Sequence, residues 1–132
     1  MIETPRATRG MVVAPHHLAA EAVLLGLRDG GNAIEAMVAA AATIAVVYPH
    51  MNALGGDNFW LISEGGKPPV AIDACGAAAG LASRDFYKVH GATMAIPSRG
   101  PLAALTMAGA VSGWQRALEL AQFYVESAAR KV

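Results

Sequence analysis

At residues 30–36 the chain reads Gly-Gly-Asn-Ala-Ile-Glu-Ala, and at residues 49–59 it reads Pro-His-Met-Asn-Ala-Leu-Gly-Gly-Asp-Asn-Phe. Asn32 is a favourable helix N-cap, and Glu35 stands where its carboxylate can bond back to the Asn32 amide. We therefore predict a helix from Ala33 to Val47, whose one charged residue is Glu35. A helix that is apolar all round is buried in protein or in lipid. The glycines before it predict the end of a preceding helix, and those after it predict a turn into a strand.

The length of this apolar run decides between protein and lipid. Residues 36–48 contain 13 uncharged residues before Pro49 and His50 intervene, whereas a bilayer-spanning helix needs about 20. The many alanines also favour close packing against a sheet. We therefore expect no membrane partner; a small membrane-associated protein built on this run would require detergent.

The composition of the chain indicates a folded domain. Of 132 residues, 55% are hydrophobic and 15% are charged, which is unlike a disordered segment. We predict a single partial domain over residues 1–132. Ten basic residues balance ten acidic ones, so no nucleic-acid partner is expected. The amino terminus lacks the apolar segment of a secretory signal, which predicts a cytoplasmic chain unless the sequence is a trimmed exported form.

Periodicity and turn residues predict the remaining elements. They are a buried strand at residues 11–14, a helix at 18–27, a hairpin of strands at 58–63 and 70–74, a short helix at 83–89 capped by Ser83, a loop at 91–100 and a helix at 111–131. Residues 75–82 are small and predict a loop that passes under other structure. Helices packed on a mainly antiparallel sheet give an α+β fold class.

The last predicted helix is amphipathic, so it should lie on a core. Its predicted apolar face consists of Trp114, Ala117, Leu118, Ala121, Val125 and Ala128.

The histidines do not form a metal-binding pattern. His16, His17, His50 and His90 include no pair four residues apart and no carboxylate partner that would complete a site. We expect no metal and no cofactor. His50 is expected to bond a backbone carbonyl at the helix end rather than to contact substrate. The glycines at 55–56 precede a strand, whereas a phosphate cradle opens a helix, so nucleotide binding is disfavoured.

Cys75 is the one cysteine, and it follows directly after a predicted strand. Catalytic groups often occupy such positions, and a lone cysteine acts as a nucleophile if a histidine lowers its pKa. No nearby sequence is typical of a cysteine hydrolase. We therefore favour a small buried residue among alanines and glycines over a nucleophile.

The order of these features, from Arg-Gly-Met-Val-Val-Ala at residues 9–14 to Gly-Ala-Val-Ser-Gly-Trp at 109–114, resembles the start of the large subunit of the γ-glutamyltranspeptidase family. The resemblance is strongest from Gly30 to Gly56. It implies part of a four-layer αββα sandwich of the N-terminal-nucleophile hydrolases. Autoproteolysis in that family exposes a threonine whose own α-amino group acts as base. None of the threonines here, at positions 4, 8, 43, 93 and 106, lies in the Thr-Thr-His type of context of the cleavage point, so no catalytic residue is predicted.

One departure from the family bears on substrate. γ-Glutamyl-specific members carry Asp-x-Arg-Glu, whose arginine clamps the glutamyl α-carboxylate, whereas this chain reads Asp-Ala-Cys-Gly at residues 73–76. Cys75 thus occupies the position of the carboxylate-binding arginine, and we assign it to substrate binding. A thiol cannot replace that clamp, and nothing in the spacing requires Arg84 or Arg99 to do so. The chain therefore resembles the acylase and amidohydrolase branches, such as oxamate-type or cephalosporin-type enzymes.

The resemblance implies the amino-terminal part of a Thr-nucleophile amidohydrolase or transferase that acts on γ-glutamyl or related small-molecule amides. We expect this part to be inactive alone and to pair with the C-terminal portion or small subunit of the same enzyme. The alternative is a non-enzymatic truncated remnant or interaction module. Unpaired strand edges predict self-association in either case.

Overall fold

The computed structural model describes residues 4–8, 10–103 and 106–129. In these residues the elements are α1 (His17–Arg28), α2 (Ala33–Val47), β1 (Asn58–Ile62), β2 (Val70–Ala74), α3 (Arg84–Val89) and α4 (Ala110–Ala129). The predicted α+β class is confirmed. Chain contacts divide the molecule into a helix unit, Met1–Leu54 with Trp114–Val132, and a hairpin unit, Gly55–Gly113.

The junction of α1 and α2 begins with a glycine cap. α1 ends at Arg28, and Gly30 follows at φ 90°, in the left-handed region that favours glycine. The Gly31 amide bonds the Gly26 carbonyl at 2.9 Å, and the Gly30 amide bonds the Leu27 carbonyl at 3.3 Å. This pair of bonds is typical of a Schellman motif. The prediction that a glycine ends this helix is confirmed.

The predicted capping box then starts α2. The Asn32 side-chain oxygen accepts hydrogen bonds from the amides of Ile34 at 2.9 Å and Glu35 at 3.0 Å. In return the Glu35 carboxylate accepts one from the Asn32 amide at 2.9 Å. These bonds satisfy amides that a helix start leaves without intrahelical partners.

The core of the helix unit lies between α1 and α2. Ala19 and Val23 of α1 and Ala36 and Ala40 of α2 are buried together. A Cβ added at Gly26 would lie 3.4 Å from Ala36, so the two helices approach closely over small side chains.

The expectation that α2 is buried all round is wrong for the described residues. Val46 is 74% exposed, and Met37 is also exposed. The buried residues of α2 are Ala36 and Ala40, because α1 covers one stripe of the helix and leaves the opposite side in solvent.

The predicted strand at residues 11–14 is also wrong. These residues are irregular, and no strand of the described chain pairs with them. Their burial nevertheless alternates: Val12 and Ala14 pack against the helix core, whereas Met11 and Val13 are exposed. The apolar run that predicted a strand therefore packs two of its side chains on the helices but lacks the hydrogen-bonded neighbour that defines a strand.

Helix α4 forms where predicted up to Ala129, and residues 130–131 of the prediction lie outside the described residues. Its predicted apolar face is only partly correct. Ala117 and Ala121 are buried, whereas Leu118 and Val125 are exposed, and the side chain of Ala128 lies outside the described residues. Alanines occupy these buried positions of α4, whereas the larger aliphatic side chains at neighbouring positions are exposed.

The predicted hairpin is confirmed in the hairpin unit, with β1 ending at Ile62. β1 and β2 are antiparallel, with Asn58 opposite Ala74 and Ile62 opposite Val70. The connecting turn includes Gly66 at φ 78°.

One face of this hairpin is apolar and exposed. Phe59 is 66% and Leu61 is 78% exposed, and they alternate along β1 with the half-buried Trp60. The hairpin unit thus presents large apolar side chains that nothing in the described residues covers.

The short helix α3 has the predicted cap, because the Ser83 hydroxyl accepts a hydrogen bond from the Phe86 amide at 3.2 Å. Residues 91–100 are loop, as predicted. Across the described part of the chain, every helix is too short or too polar to cross a bilayer.

Candidate functional site

Antiparallel pairing brings the start of β1 next to the end of β2. Because Asn58 is opposite Ala74, Asp57 lies beside the residues that follow β2. The Asp57 carboxylate accepts a hydrogen bond from the Gly76 amide at 2.8 Å. The Asp73 carboxylate accepts one from the Cys75 amide at 3.0 Å. Two carboxylates therefore hold two successive amides at the strand end that carries Cys75.

A third segment completes this site. The Met107 amide bonds the Ala77 carbonyl at 3.0 Å. The Gly56 carbonyl accepts hydrogen bonds from the amides of Gly109 at 3.1 Å and Ala110 at 2.9 Å. The turn before β1, the end of β2 and the start of α4 are thus joined by backbone hydrogen bonds.

Two glycines allow these segments to approach. A Cβ on Gly76 would lie 1.6 Å from the Met107 carbonyl oxygen, and a Cβ on Gly109 would lie 1.9 Å from the Ala74 carbonyl oxygen. Neither position has room for a side chain. By contrast, a Cβ on Gly55 would meet nothing within 4 Å, so Gly55 belongs to the predicted turn without being required by a close backbone approach.

The small residues after β2 were predicted to pass under other structure as a loop. The close backbone approach is confirmed at Gly76. Residues 77–82 are exposed, however, so the segment does not pass beneath another element. The small side chains here allow two backbone segments to approach each other at the surface.

Cys75 is exposed, and the expectation that it is buried is wrong. Its pKa is raised above the ordinary value by local desolvation of the thiol, by a hydrogen bond with Asp73 and by the negative charges of Asp73 and Asp57. The thiolate is the nucleophilic form of cysteine. These surroundings keep the thiol protonated and therefore disfavour a nucleophilic role.

The structure does not bring Arg84 or Arg99 to this site. Arg84 lies at the start of α3, where it lines a surface cleft of about 480 Å³ together with Lys88 and Thr93. In the described residues no hydrogen bond or ion pair joins Arg84 or Arg99 to the residues around Cys75.

The ring contacts that the structure gives the described histidines do not involve Cys75. His16 and His17 stack on each other at 4.6 Å, and the His50 ring lies 4.1 Å from that of Tyr48. His50 thus shows a ring contact instead of the predicted bond to a backbone carbonyl. The part of the chain that the structure describes contains no group of three His, Cys, Asp or Glu residues that could hold a metal ion. The glycines at 55–56 lead into β1, as predicted, so their amides do not open a helix toward an anion.

Sequence reasoning did not find Asp57 or Gly109 as parts of this site. Both lie next to glycines or other small residues. Such residues indicate that another backbone segment approaches closely but do not indicate which segment it is. The hydrogen bond from Gly76 to Asp57 joins residues 19 apart, and the alternation of a strand does not predict it.

Comparison with known proteins identifies the family of this chain. The family model described as gamma-glutamyltranspeptidase matches residues 19–121. The chain belongs to the gamma-glutamyltranspeptidase family. The matched range includes the glycine junction, the hairpin and the whole site around Cys75.

Individual relatives extend the comparison. The chain is 60% identical over 116 residues to the oxamate amidohydrolase proenzyme of Klebsiella pneumoniae, a match that covers 88% of this chain and 21% of the relative. It is 43% identical over 113 residues to the glutathione hydrolase-like YwrD proenzyme of Bacillus subtilis, covering 85% of this chain and 21% of the relative. This family member therefore spans about a fifth of the length of these relatives.

Solved structures show the same fold. The gamma-glutamyltranspeptidase of Helicobacter pylori aligns with a TM-score of 0.76 at 30% identity, over 89% of this chain and 34% of that chain. The enzyme from Pseudomonas nitroreducens, complexed with L-DON, aligns with a TM-score of 0.72 at 31% identity, over 86% and 34% respectively.

Proposed function

We propose that this chain forms the amino-terminal part of a Thr-nucleophile amidohydrolase that acts on small amides of the oxamate type. The observation that carries the proposal is the 60% identity to an oxamate amidohydrolase proenzyme. The substrate class is an amide next to a carboxylate, and γ-glutamyl groups are poor substrates in this proposal.

The strand end around Cys75 supports the substrate assignment. In γ-glutamyl enzymes an arginine at this position clamps a carboxylate with two hydrogen bonds. Here Cys75 occupies that position, beside Asp73 and Asp57, so the guanidinium that would hold a γ-glutamyl α-carboxylate is absent. Loss of a desolvated bidentate contact costs about 2–5 kcal/mol, or roughly 30-fold to several thousand-fold in affinity.

We place the nucleophile outside this chain, because none of its threonines lies in the sequence context that the family uses. In this proposal the two units contribute strands and helices to a four-layer αββα sandwich, completed by the remaining portion of the same enzyme. The exposed apolar side chains of Phe59 and Leu61 suit a surface that further protein covers.

A chimera tests this proposal. The matching segment of the Klebsiella proenzyme is replaced by this chain, and self-cleavage, oxamate hydrolysis and γ-glutamyl anilide hydrolysis are measured. We expect self-cleavage and a preference for oxamate. The control chimera carries the corresponding segment of the glutathione hydrolase proenzyme of Escherichia coli, which is 37% identical to this chain over 82 residues. A chimera that cleaves itself but prefers the anilide contradicts the proposed substrate.

Substitution at the strand end sharpens the test. Cys75→Arg should raise γ-glutamyl turnover relative to oxamate, because it restores the guanidinium. Arg84→Ala and Arg99→Ala are the controls and should leave the ratio unchanged. If the unmodified chimera hydrolyses the anilide strongly and neither control affects it, the carboxylate is held by groups outside this chain.

The isolated chain should hydrolyse neither substrate. Turnover that survives purification and is lost in Cys75→Ala would overturn this expectation, because the thiol would then be the nucleophile.

A second candidate is a non-enzymatic interaction module. The specific observation in its favour is the exposed Phe59 and Leu61 on one strand face, which also predicts self-association of the isolated chain. A chimera that folds but never cleaves itself favours this candidate. Sedimentation as a dilution-stable monomer counts against self-association.

A further inference from the structure

The Asp57 carboxylate makes a contact that the strand ladder cannot make. The ladder between β1 and β2 ends at the pair Asn58 and Ala74. Beyond that pair, the bond of 2.8 Å from the Gly76 amide to the Asp57 carboxylate joins the segment before β1 to the segment after β2. Most side-chain hydrogen bonds of the described residues join positions no more than four apart, whereas this one joins positions 19 apart.

Gly76 is also in close contact with the backbone of a third segment, at Met107. Gly76 lies so close to Met107 that a Cβ would be 1.6 Å from its carbonyl oxygen. The peptide after Cys75 is therefore held between the Met107 backbone and the Asp57 carboxylate. Asp73, in contrast, bonds the amide of Cys75 two residues away, so it shapes the strand end locally and does not connect it to another segment.

We propose that Asp57 is the positioning residue that sets the place of Cys75 at the substrate-facing strand end. This inference rests on the proposed function, in which Cys75 faces the substrate. The Asp57 side chain acts through the Gly76 peptide and does not touch substrate. Its role requires a hydrogen-bond acceptor, which asparagine also supplies, and does not require a negative charge.

A positioning role at this place predicts a particular kinetic pattern. Cys75 belongs to the part of the site that binds substrate, and the nucleophile lies elsewhere. Displacing the strand end should therefore weaken ground-state and transition-state binding equally, which raises KM and leaves kcat nearly unchanged.

The experiment uses the chimera described above and compares Asp57→Ala with Asp57→Asn. The alanine variant should raise KM for oxamate about tenfold, as expected for loss of one net hydrogen bond. The asparagine variant should stay within about twofold, because its side-chain oxygen can still accept from Gly76. Asp85→Ala, which removes an exposed carboxylate of the same unit, is the matched control and should change neither constant.

Hydrogen exchange adds a readout that does not depend on activity. Exchange at the peptide that contains Gly76 is followed by mass spectrometry in the same chimera, with thermal melting to verify folding. We expect faster exchange in Asp57→Ala and unchanged exchange in Asp57→Asn.

The two proposals fail in different ways. A chimera that is inactive before any substitution contradicts the proposed function, while exchange at Gly76 still tests the positioning role. Unchanged KM and exchange in Asp57→Ala would overturn that role. Equal defects in the alanine and asparagine variants would overturn it too, because the charge and not the hydrogen bond would then matter. If Asp57→Ala does not fold, an asparagine variant that behaves like the unmodified chimera supports the role, and one that loses protection at Gly76 refutes it.

Discussion

The helix unit and the hairpin unit are ordered by different interactions. In the helix unit, apolar side chains such as Val23 and Ala36 are buried between α1 and α2. In the hairpin unit, the order around Cys75 comes from backbone hydrogen bonds and from glycines at sites without room for a Cβ, while Phe59 and Leu61 remain exposed. An added methyl group should therefore have very different effects in the two units.

The largest effect should follow Gly76→Ala. Its Cβ would lie 1.6 Å from a backbone oxygen, so relief requires displacement of the main chain. We expect a loss of about 3 kcal/mol or more in the free energy of unfolding, measured by urea denaturation. Gly55→Ala is the matched control, because its Cβ meets nothing within 4 Å. Equal shifts for the two variants would show that the close backbone approach at Gly76 does not determine the loss of stability.

A smaller effect is expected in the helix unit. Ala36→Leu adds volume to a buried interface, where neighbouring side chains can move, and should cost about 1–3 kcal/mol. Ala42→Leu places the same side chain on an exposed position of the same helix and should have little effect. If urea denaturation shows that Ala36→Leu costs more than Gly76→Ala, side-chain packing is the stricter constraint.

The N-cap of α2 should contribute still less to the free energy of unfolding. Asn32→Ala removes the acceptor for two amides and should lower the free energy of unfolding by about 1 kcal/mol. Glu35→Gln keeps an oxygen that can accept from the Asn32 amide and serves as the control. A calorimetric melting temperature that is unchanged in Asn32→Ala would show that the cap is dispensable.

The last effect concerns reactivity. Because the pKa of Cys75 is raised by its surroundings, first by desolvation and then by Asp73 and Asp57, alkylation by iodoacetamide should reach its half-maximal rate at a higher pH in the folded chain than in urea. Asp57→Asn should lower that midpoint, and Asp85→Asn should not. The raised pKa of Cys75 also makes the free energy of unfolding depend on pH. Its stabilising contribution is present below the pKa of the unfolded thiol and is lost as the pH rises through the pKa of the folded thiol. A folded midpoint at or below that in urea contradicts this account.

The elements that the sequence predicted well depend on neighbours within a few residues. The cap formed by Asn32 and Glu35, the left-handed Gly30 and the cap at Ser83 each combine a residue type with a short spacing. The hairpin likewise follows from two short strand-like runs on either side of a turn that contains glycine and proline. Such local signals do not depend on distant parts of the structure.

The incorrect predictions depended on distant partners. Residues 11–14 form an apolar run typical of a buried strand but have no strand beside them in the described chain. The exposure of Cys75 and the bond from Gly76 to Asp57 arise from pairing of segments that are far apart in sequence. The position of Cys75 in the site came from the family resemblance, and the surroundings that raise its pKa became visible only in the structure.

The caps between α1 and α2 also limit how the length of the chain can vary. From Gly26 to Glu35 the bonds of one cap lead directly into those of the next: Gly31 reaches back to Gly26, and Asn32 pairs with Glu35. An inserted or deleted residue here would shift one cap out of register, whereas the turn at residues 63–69 has no such overlap. We therefore expect a single glycine inserted after Gly31 to lower the melting temperature more than one inserted after Gly65. The two caps thus fix the number of residues between α1 and α2, and natural insertions and deletions in this part of the family should occur elsewhere.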